Sequence, residues 1–211
     1  MEFVLGLDVG TTAVKGLALD RTTQSHLSAS CSVPLIKFPS GWVEQDAEDL
    51  WQAVLSVCRQ ISARLNPDDR IVAISLSSQG GTTIPVDSAG DPTHPAFSWM
   101  DERAVAEALR AETELGKQWI YSTTGWFLFS GLPLNHIAWF RKNCPDSFSR
   151  TTHIRFVNDF ILARLGGVAC MNPSDASITQ LYNLNENTWE EKLLRQAGIT
   201  EHQLSPIQLS G

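Results

Sequence analysis

Basic charge is scarce in this 211-residue sequence, where 16 Lys and Arg residues stand against 23 Asp and Glu, giving a formal net charge of −7. Proteins that bind nucleic acid or anionic membranes generally present a net basic surface. The composition therefore argues against both kinds of partner, while leaving room for a local basic site that holds a phosphate. With 43% hydrophobic and 18% charged residues, the chain has the composition of a soluble globular protein.

Long apolar runs and clustered cysteines are absent too. No run approaches the ~18 apolar residues that a membrane span requires, and residues 1–10 lack the basic stretch with which a signal peptide begins. The four cysteines lie far apart without a C-x-x-C pair, and the five histidines show no metal-ligand spacing, which disfavours a disulfide framework or a structural zinc site. We therefore expect a protein of the reducing cytoplasm.

The first half of the chain is predicted to alternate strands with one helix. Residues 3–9, 13–20 and 27–36 are short, apolar and separated by turns, which predicts an antiparallel meander. Apolar residues then recur every three or four positions from Leu50 to Leu65, which predicts a helix capped by Asp46 and stopped at Asn66-Pro67. Further strands are predicted at residues 71–78, 82–87 and 95–101.

The second half reads as mainly helical. Helices are predicted at residues 102–115 with an end at Gly116, around residues 137–140, and at residues 158–165. Thr188 and Glu191 form a capping-box pair that predicts one more helix, ending at Gly198. These elements favour an α/β fold with a mixed sheet flanked by helices. Residues 206–211 resemble an extended connection, so we expect one domain of a longer protein.

The sharpest local motif is the turn Asp8-Val9-Gly10-Thr11-Thr12, which lies between two apolar strands with Lys15 just beyond it. Such a turn directs backbone N–H groups and two hydroxyls into one concavity that suits phosphate oxygens. Asp8 would hold a metal-bound water, and Lys15 would offset phosphate charge. A plain hairpin turn is the alternative, because Gly and Thr are common there as well.

Two later segments have the residue types of a polyol site. The loop Gln79-Gly80-Gly81 follows a buried strand, and ligands commonly bind beyond the carboxyl ends of strands. An indole beside a carboxylate, as in Trp99 and Asp101, is a common way to hold a sugar. The alternatives are a Gly-rich turn, and a core Trp followed by an acidic helix N-terminus.

Taken in order, these segments resemble the N-terminal domain of the FGGY family of carbohydrate kinases. The turn after Asp8 resembles the family's first phosphate motif, and residues 41–46 (GWVEQD) resemble its G-W-x-E-x-D segment. Residues 78–79 and 99–103 resemble its substrate-side loops. Thr124-Gly125 with Trp139, residues 158–160 (NDF) and residues 174–176 (SDA) match later family segments. The resemblance spans residues 1–211 and is closer to xylulokinase-like members than to glycerol kinases.

The resemblance implies an actin/hexokinase-type (ribonuclease H-like) ATPase fold, with ATP and Mg²⁺ as cofactors. The implied reaction is phosphorylation of a sugar or polyol hydroxyl, with a ketopentose such as xylulose as the first candidate. By position, Asp8 would act near the Mg²⁺–phosphate group. The residues implied to face the phosphates are Gly10, Thr11, Thr12 and Lys15, and those implied to line the sugar side are Gln79, Gly80, Gly81, Trp99 and Asp101.

The family's catalytic Asp base and its adenosine site lie further along than these residues. The resemblance therefore implies that a C-terminal nucleotide-binding domain of the same parent chain is a partner, and that these 211 residues alone are inactive. Gly80-Gly81-Thr82 replaces the Met-His-Gly of xylulokinases and the Arg-Glu of glycerol kinases, and His136 stands at or near a family Lys.

Those departures keep a second hypothesis open, namely a non-catalytic sugar-binding or regulatory module that retains the fold. A different actin-like ATPase is disfavoured, because it would not be expected to carry both residues 41–46 and residues 99–103. The oligomeric state stays open, a homodimer included.

Overall fold

The computed structural model describes residues 1–23 and 25–210. The strands are β1 (Glu2–Val9), β2 (Ala13–Asp20), β3 (His26–Ser32), β4 (Ile36–Lys37), β5 (Val43–Gln45), β6 (Arg70–Ser78), β7 (Thr83–Val86), β8 (Ala96–Phe97), β9 (His153–Phe156), β10 (Tyr182–Asn183) and β11 (Thr188–Trp189). The helices are α1 (Ala47–Ser62), α2 (Val105–Leu115), α3 (Lys117–Thr124), α4 (Pro133–Asn143), α5 (Pro145–Arg150), α6 (Val157–Arg164), α7 (Pro173–Ile178) and α8 (Glu191–Ala197). Two compact units result, which we call unit 1 (residues 1–35 and 46–79) and unit 2 (residues 36–45 and 80 onward).

Unit 1 is a four-stranded sheet in the order β3-β2-β1-β6 with one helix on it. The predicted meander is confirmed, because β1, β2 and β3 pair antiparallel, and β6 adds parallel to β1 to make the sheet mixed. Alternate residues of β1 are buried, as a strand with one covered face requires. The apolar stripe of α1 is buried as well, and α1 contacts β1, β2 and β3.

Two predictions for unit 1 need correction at their ends. The third strand stops at Ser32 instead of reaching residue 36, because Pro34 has no N–H to donate to a strand ladder. The Asp46 cap is confirmed, since its Oδ1 accepts from the Glu48 N–H at 2.8 Å. Helix α1 itself ends at Ser62, ahead of the predicted stop at Asn66-Pro67.

Unit 2 contains a five-stranded sheet in the order β4-β5-β8-β7-β9, with every pairing antiparallel. Strand β9 was not predicted, and it pairs with β7 along its whole length. A buried cluster around Leu134, Ile154, Phe156 and Leu193 draws residues from helices and strands into one core. Among the residues described, no helix is long and apolar enough to cross a membrane.

The helices of unit 2 are confirmed where they are long or clearly terminated. Helix α2 ends at Gly116, and α8 ends at Gly198, which has the left-handed backbone conformation that favours glycine. The capping-box prediction is wrong, because Thr188 lies in β11 and α8 is capped by the Glu190 side chain, which accepts from the Lys192 N–H. Helices α3, α5 and α7 were missed because segments of six to eight residues show too little periodicity.

Candidate functional site

A tight turn joins β1 to β2 in unit 1. The Gly10 N–H donates to the Ala13 carbonyl at 3.0 Å, and a Cβ added at Gly10 would lie 3.1 Å from that same oxygen. The Thr12 carbonyl accepts from the Val33 N–H at 2.9 Å, which ties the turn to the chain leaving β3. The turn is therefore compact and fixed, and its Gly10 N–H is used internally. Thr12 is exposed to solvent.

Asp8 and Lys15 face each other across the β1–β2 ladder. Both side chains are exposed and lie on the sheet face opposite α1. This face forms an open concavity of about 770 Å³, lined next to the two charges by small residues, namely Gly6, Ser28, Ser30, Ser75 and Ser77. A carboxylate and an ammonium group thus stand side by side on a surface that a ligand can approach closely.

Gln79 lies at the same edge of this sheet. Its N–H donates to the Val9 carbonyl at 2.9 Å, so the chain leaving β6 is held against the end of β1. Because β1 and β6 run parallel, Asp8 and Gln79 both belong to the carboxyl edge of the sheet, where ligands of α/β folds commonly bind. Unit 1 therefore brings together the residues predicted on the phosphate side, namely Asp8, Gly10, Thr11, Thr12 and Lys15, and adds Gln79, which was predicted on the sugar side.

The oxygen donors near the turn in unit 1 suit a hydrated Mg²⁺. No group of three or more His, Cys, Asp or Glu side chains suited to a metal occurs among residues 1–23 and 25–210. Asp8 is the acidic residue of the turn sequence, residues 8–12. Mg²⁺ suits such a position, because it keeps several waters and binds through one or two carboxylates together with substrate phosphates.

In unit 2, Asp101 is completely buried and both of its carboxylate oxygens are occupied by protein donors. Oδ1 accepts from the backbone N–H and the Nε of Arg103, each at 2.9 Å. Oδ2 accepts from Arg103 Nη2 at 2.8 Å and from the Val43 N–H at 2.5 Å. Arg103 Nη2 also donates to Glu44 at 2.7 Å. We call this group, residues 43, 44, 101 and 103, the Asp101–Arg103 clamp.

Aromatic rings enclose the guanidinium of the clamp. Arg103 Cζ lies 4.3 Å from the ring centroid of Trp42, 4.9 Å from that of Phe97 and 5.0 Å from that of Trp139. Cation–π attraction is strongest where the cation is shielded from water, as here. The clamp thus explains why residues 41–46 and 99–103 occur together: the first segment supplies the Trp and Glu that hold the Arg of the second.

Trp99 lies two residues before Asp101 and remains 40% exposed. Glycines pack directly against it. A Cβ at Gly81, whose φ is +78°, would lie 3.1 Å from the Trp99 Cβ, and a Cβ at Gly131 would lie 2.2 Å from the Trp99 carbonyl oxygen. No side chain larger than hydrogen fits at Gly131, so two loops meet there at backbone distance.

A recess of about 400 Å³ opens beside Trp99. We call it the aromatic recess, and its lining is almost wholly apolar, consisting of Gly80, Trp99, Trp126, Phe127, Phe129, Leu132 and Ile178. Sequence reasoning had named only Gly80 and Trp99 of this set. The signal for the rest was the aromatic run at residues 126–129 between Gly125 and Gly131, which no periodic pattern assigned to a helix or strand.

The similarity to known proteins covers both the turn after Asp8 and the aromatic recess. Residues 3–211 match the FGGY family of carbohydrate kinases, N-terminal domain. The chain belongs to this family. The Bacillus subtilis gluconokinase is 30% identical over 206 residues, and the match covers 98% of this chain and 40% of that enzyme. The Staphylococcus xylosus xylulose kinase is 28% identical, with 94% of this chain and 41% of that enzyme covered.

Solved structures agree with this assignment. The xylulose kinase and the gluconate kinase of Lactobacillus acidophilus each superpose with a TM-score of 0.91 at 28% identity. The superpositions cover 99% and 98% of this chain and 42% of each neighbour. The predicted actin/hexokinase-type α/β fold of FGGY kinases is thereby confirmed, and the chain spans about 40% of the length of the curated relatives it matches.

Other FGGY segments join to one another within unit 2. Asn158 of the N-D-F segment donates through Nδ2 to Asp175 of the S-D-A segment at 2.6 Å, and Asn172 Nδ2 donates to the same carboxylate oxygen at 3.0 Å. Burial raises the pKa of Asp175, and these two hydrogen bonds oppose that shift. These family segments therefore fasten α6 to α7.

The Thr-Gly segment of the FGGY domain redirects the chain into the aromatic run. Gly125 ends α3 with a φ of +76°, and the buried Thr124 hydroxyl donates to the Ile120 carbonyl at 2.8 Å. The Trp126 N–H then donates to the Thr124 oxygen at 3.2 Å. The sharp reversal at Thr124-Gly125 starts the loop that carries the aromatic recess.

His136 is fully buried in α4. Its Nε2 lies 3.3 Å from the Asp101 carbonyl oxygen, which can only accept, so Nε2 carries the proton. Burial lowers the pKa of His136 to about 4. The imidazole is therefore neutral at pH 7, and this FGGY domain has a buried neutral ring against the clamp segment.

Proposed function

We propose that this chain is the substrate-side domain of an ATP-dependent kinase that phosphorylates a sugar or polyol hydroxyl, with a ketopentose such as xylulose as the first candidate acceptor. The observation that carries the proposal is the exposed Asp8–Lys15 pair beside a fixed Gly-Thr-Thr turn, at the carboxyl edge of a sheet that belongs to an FGGY domain. We place the protein in the cytoplasm, in keeping with its composition.

Each residue near the turn has a role in this proposal. Phosphoryl transfer requires positioning and charge neutralisation more than covalent help. Asp8 would hold the hydrated Mg²⁺, Lys15 would offset phosphate charge, and the Thr11 and Thr12 hydroxyls would face phosphate oxygens. Gly10 would let the nucleotide phosphates come close to the backbone. When bound, Mg²⁺ neutralises negative charge on the transferred group.

On the substrate side, Gly80, Gly81 and Trp99 are proposed to line the acceptor site in unit 2. Gln79, at the end of β6 in unit 1, is kept as a proposed substrate-side residue. Asp101 has a different proposed role, because its carboxylate is buried and saturated by the clamp. It acts as a positioning residue that fixes the segment carrying Trp99. The general base and the adenosine site are proposed to belong to a C-terminal domain of the parent chain.

Gluconate is a second candidate acceptor, because the gluconokinase and xylulose kinase matches are of similar strength. The test is a coupled assay of ADP release by the full-length protein with D-xylulose, gluconate, L-ribulose and glycerol. Turnover on one acceptor supports the kinase and names its substrate. Binding of a sugar without turnover on any of them supports the non-catalytic module instead.

The role of Asp8 is tested in the same assay. We expect Asp8→Ala to lower kcat by about 100-fold or more, the typical effect of removing a group that stabilises transition-state charge. Asp68→Ala is the matched control, because Asp68 is an exposed Asp of the same unit that is distant in sequence from the turn. Near-normal turnover of a folded Asp8→Ala protein would contradict the assigned role.

A further inference from the structure

The backbone around the aromatic recess is held by buried amide side chains. Asn135 Nδ2 donates to the Phe129 carbonyl at 2.9 Å, and Gln180 Nε2 donates to the Phe127 carbonyl at 2.8 Å. Both amides are fully buried. Gln180 moreover has a φ of +58°, a conformation that non-glycine residues adopt at a cost and that often marks a functional constraint. The loop that carries the rings is therefore preformed.

The rings themselves are also fixed on their outer sides. Phe127 stacks on Tyr121 with centroids 4.4 Å apart and planes 16° apart, and Trp126 Nε1 donates to Ser177 Oγ at 3.3 Å. Phe127 nevertheless stays 65% exposed. Rings that are held in place yet open to solvent form a wall that a ligand can contact without first ordering it.

Gly80 packs closely against Ile178 in the lining of the aromatic recess. A Cβ at this position would lie 2.9 Å from Ile178 Cδ1 and 3.1 Å from its Cγ2, and Ile178 is itself a lining residue. Any side chain at position 80 would therefore collide with Ile178 and displace it from its place in the lining. The volume of about 400 Å³ falls within the usual range of small-molecule pockets.

The lining decides what chemistry the recess can accept. It offers ring faces and methyl groups and almost no hydrogen-bond partner, so hydroxyls placed against it would lose water without compensation. An alkyl or aryl group loses nothing by leaving water and gains contact with four aromatic rings. Trp99, at one side of the recess, is the residue proposed above to face the acceptor.

We propose that the aromatic recess binds an apolar substituent of the phosphoryl acceptor, so that this domain prefers polyols or sugars carrying an alkyl or aryl group over the unsubstituted compounds. This inference rests on the proposed function, because it takes the bound polyol or sugar to be the phosphoryl acceptor. The binding preference itself does not depend on phosphoryl transfer. Gly80 and Phe127 are its specificity-determining residues, the first by leaving Ile178 its place in the lining and the second by forming a wall.

The test compares glycerol with 3-phenoxypropane-1,2-diol, which has the same diol and adds only a phenyl ether. Binding of both to the full-length protein is measured by calorimetry. We expect the phenoxy compound to bind at least about 10-fold more tightly, the scale at which apolar pockets discriminate. Its binding should also show a more negative heat-capacity change, the mark of apolar burial.

Two variants locate the preference. Gly80→Leu displaces Ile178 and so changes the recess lining, and Phe127→Ser removes an exposed wall residue. Each should reduce the preference to less than about threefold. Leu109→Ser, an equally drastic change at an exposed position of α2 outside the recess, should leave it unchanged. Unfolding midpoints of all three verify folding, and Phe127→Ser is decisive if Gly80→Leu is unstable.

Equal binding of the two compounds, absence of binding by both, or a preference that survives in both variants would overturn the inference. Failure of the proposed function is distinguishable from these outcomes. In that case the phenoxy preference and its loss in the variants persist, while no acceptor is phosphorylated in the assay of ADP release.

Discussion

At the scale of single residues, His136 shows how burial sets a protonation state. Burial lowers the pKa of this imidazole to about 4 from an ordinary value of 6.5, and the nearby Arg103 acts in the same direction, while Asp101 opposes it. Its Nδ1 has no hydrogen-bond partner among the described residues. A proton added at Nδ1 would create a buried positive charge beside the clamp, so the native state resists protonation.

The contribution of His136 to the free energy of unfolding should consequently fall as pH decreases from about 6.5 to about 4. In this window the unfolded chain binds a proton at His136 and the native state does not, so acid favours unfolding. The loss from this residue is on the order of 3 kcal/mol. We expect His136→Gln, which preserves a donor toward Asp101 without titrating, to remove this contribution to the pH dependence of stability. The free energy of unfolding of both proteins is measured by urea denaturation across these pH values.

A second buried group, Asp159, changes stability with pH in the opposite direction. The comparison of wild type with His136→Gln must therefore separate the two contributions. Burial raises the pKa of Asp159 to about 6, so its contribution is fully present below about 3.8 and is lost as pH rises through 6. Subtracting the His136→Gln curve from the wild-type curve cancels this shared contribution. A difference that does not vary with pH would show that His136 is not the neutral buried group described.

At the scale of elements, the Asp101–Arg103 clamp holds together segments that are distant in sequence. It joins the start of β5, at Val43 and Glu44, to the loop between β8 and α2. Every charged group in it is buried or nearly so, with side-chain exposures of 1% for Arg103, 0% for Asp101 and 12% for Glu44. Breaking such a pair leaves an uncompensated charge, whereas removing both partners does not.

Asp101→Ala should therefore lower the free energy of unfolding by about 3–5 kcal/mol, because the Val43 N–H loses its acceptor and the buried Arg103 keeps only Glu44 as a charged partner. Glu102→Ala changes an exposed neighbour and should change it by less than about 0.5 kcal/mol. The triple variant Glu44→Gln/Asp101→Leu/Arg103→Met, which removes all three charges of the clamp, should be less destabilised than Asp101→Ala alone. Chemical denaturation of the three proteins provides the measurement, and a loss below about 1 kcal/mol for Asp101→Ala would mean that the clamp is dispensable.

At the scale of the whole molecule, an exposed strand edge and a negative net charge have opposing effects on association between copies of the chain. In the described sheet of unit 1, β6 is an edge strand, and its Val72 and Ile74 are 43% and 48% exposed. Unpaired edges with apolar side chains favour association between chains. The net charge of −7 opposes it through mutual repulsion, which salt screens.

We therefore expect the 211-residue chain to self-associate, and more strongly in 0.5 M than in 0.05 M NaCl, because screening weakens the repulsion between copies. Sedimentation velocity over a concentration series measures this. Ile74→Lys should suppress association by placing a charge on the edge, while Val168→Lys adds the same charge at an exposed site in unit 2 and should not. Equal behaviour of the two variants, or a monomer throughout, would exclude the β6 edge as the contact.

Much of the fold followed from the sequence by itself. Alternating and helical spacings located β1, β2, β6, α1, α2 and α4. The capping residues Asp46 and Gly116 located the start of α1 and the end of α2, and Gly198 located the end of α8. These features depend on neighbours a few positions apart, which a pattern records directly. The placement of Asp8 opposite Lys15 is of the same kind, because a tight turn dictates the register of its strands.

Other properties were decided only by tertiary structure. Asp101 looked like a sugar ligand beside Trp99, yet its carboxylate is buried and bonded to protein donors. The sequence did not predict this, because its partner Val43 lies 58 positions away and no local pattern records that contact. Residues 126–129 looked irregular, yet amides at positions 135 and 180 hold them beside Trp99 as the wall of a recess. Burial and cavities arise from residues distant in sequence, so spacing predicts the strands and helices but not which side chains they enclose.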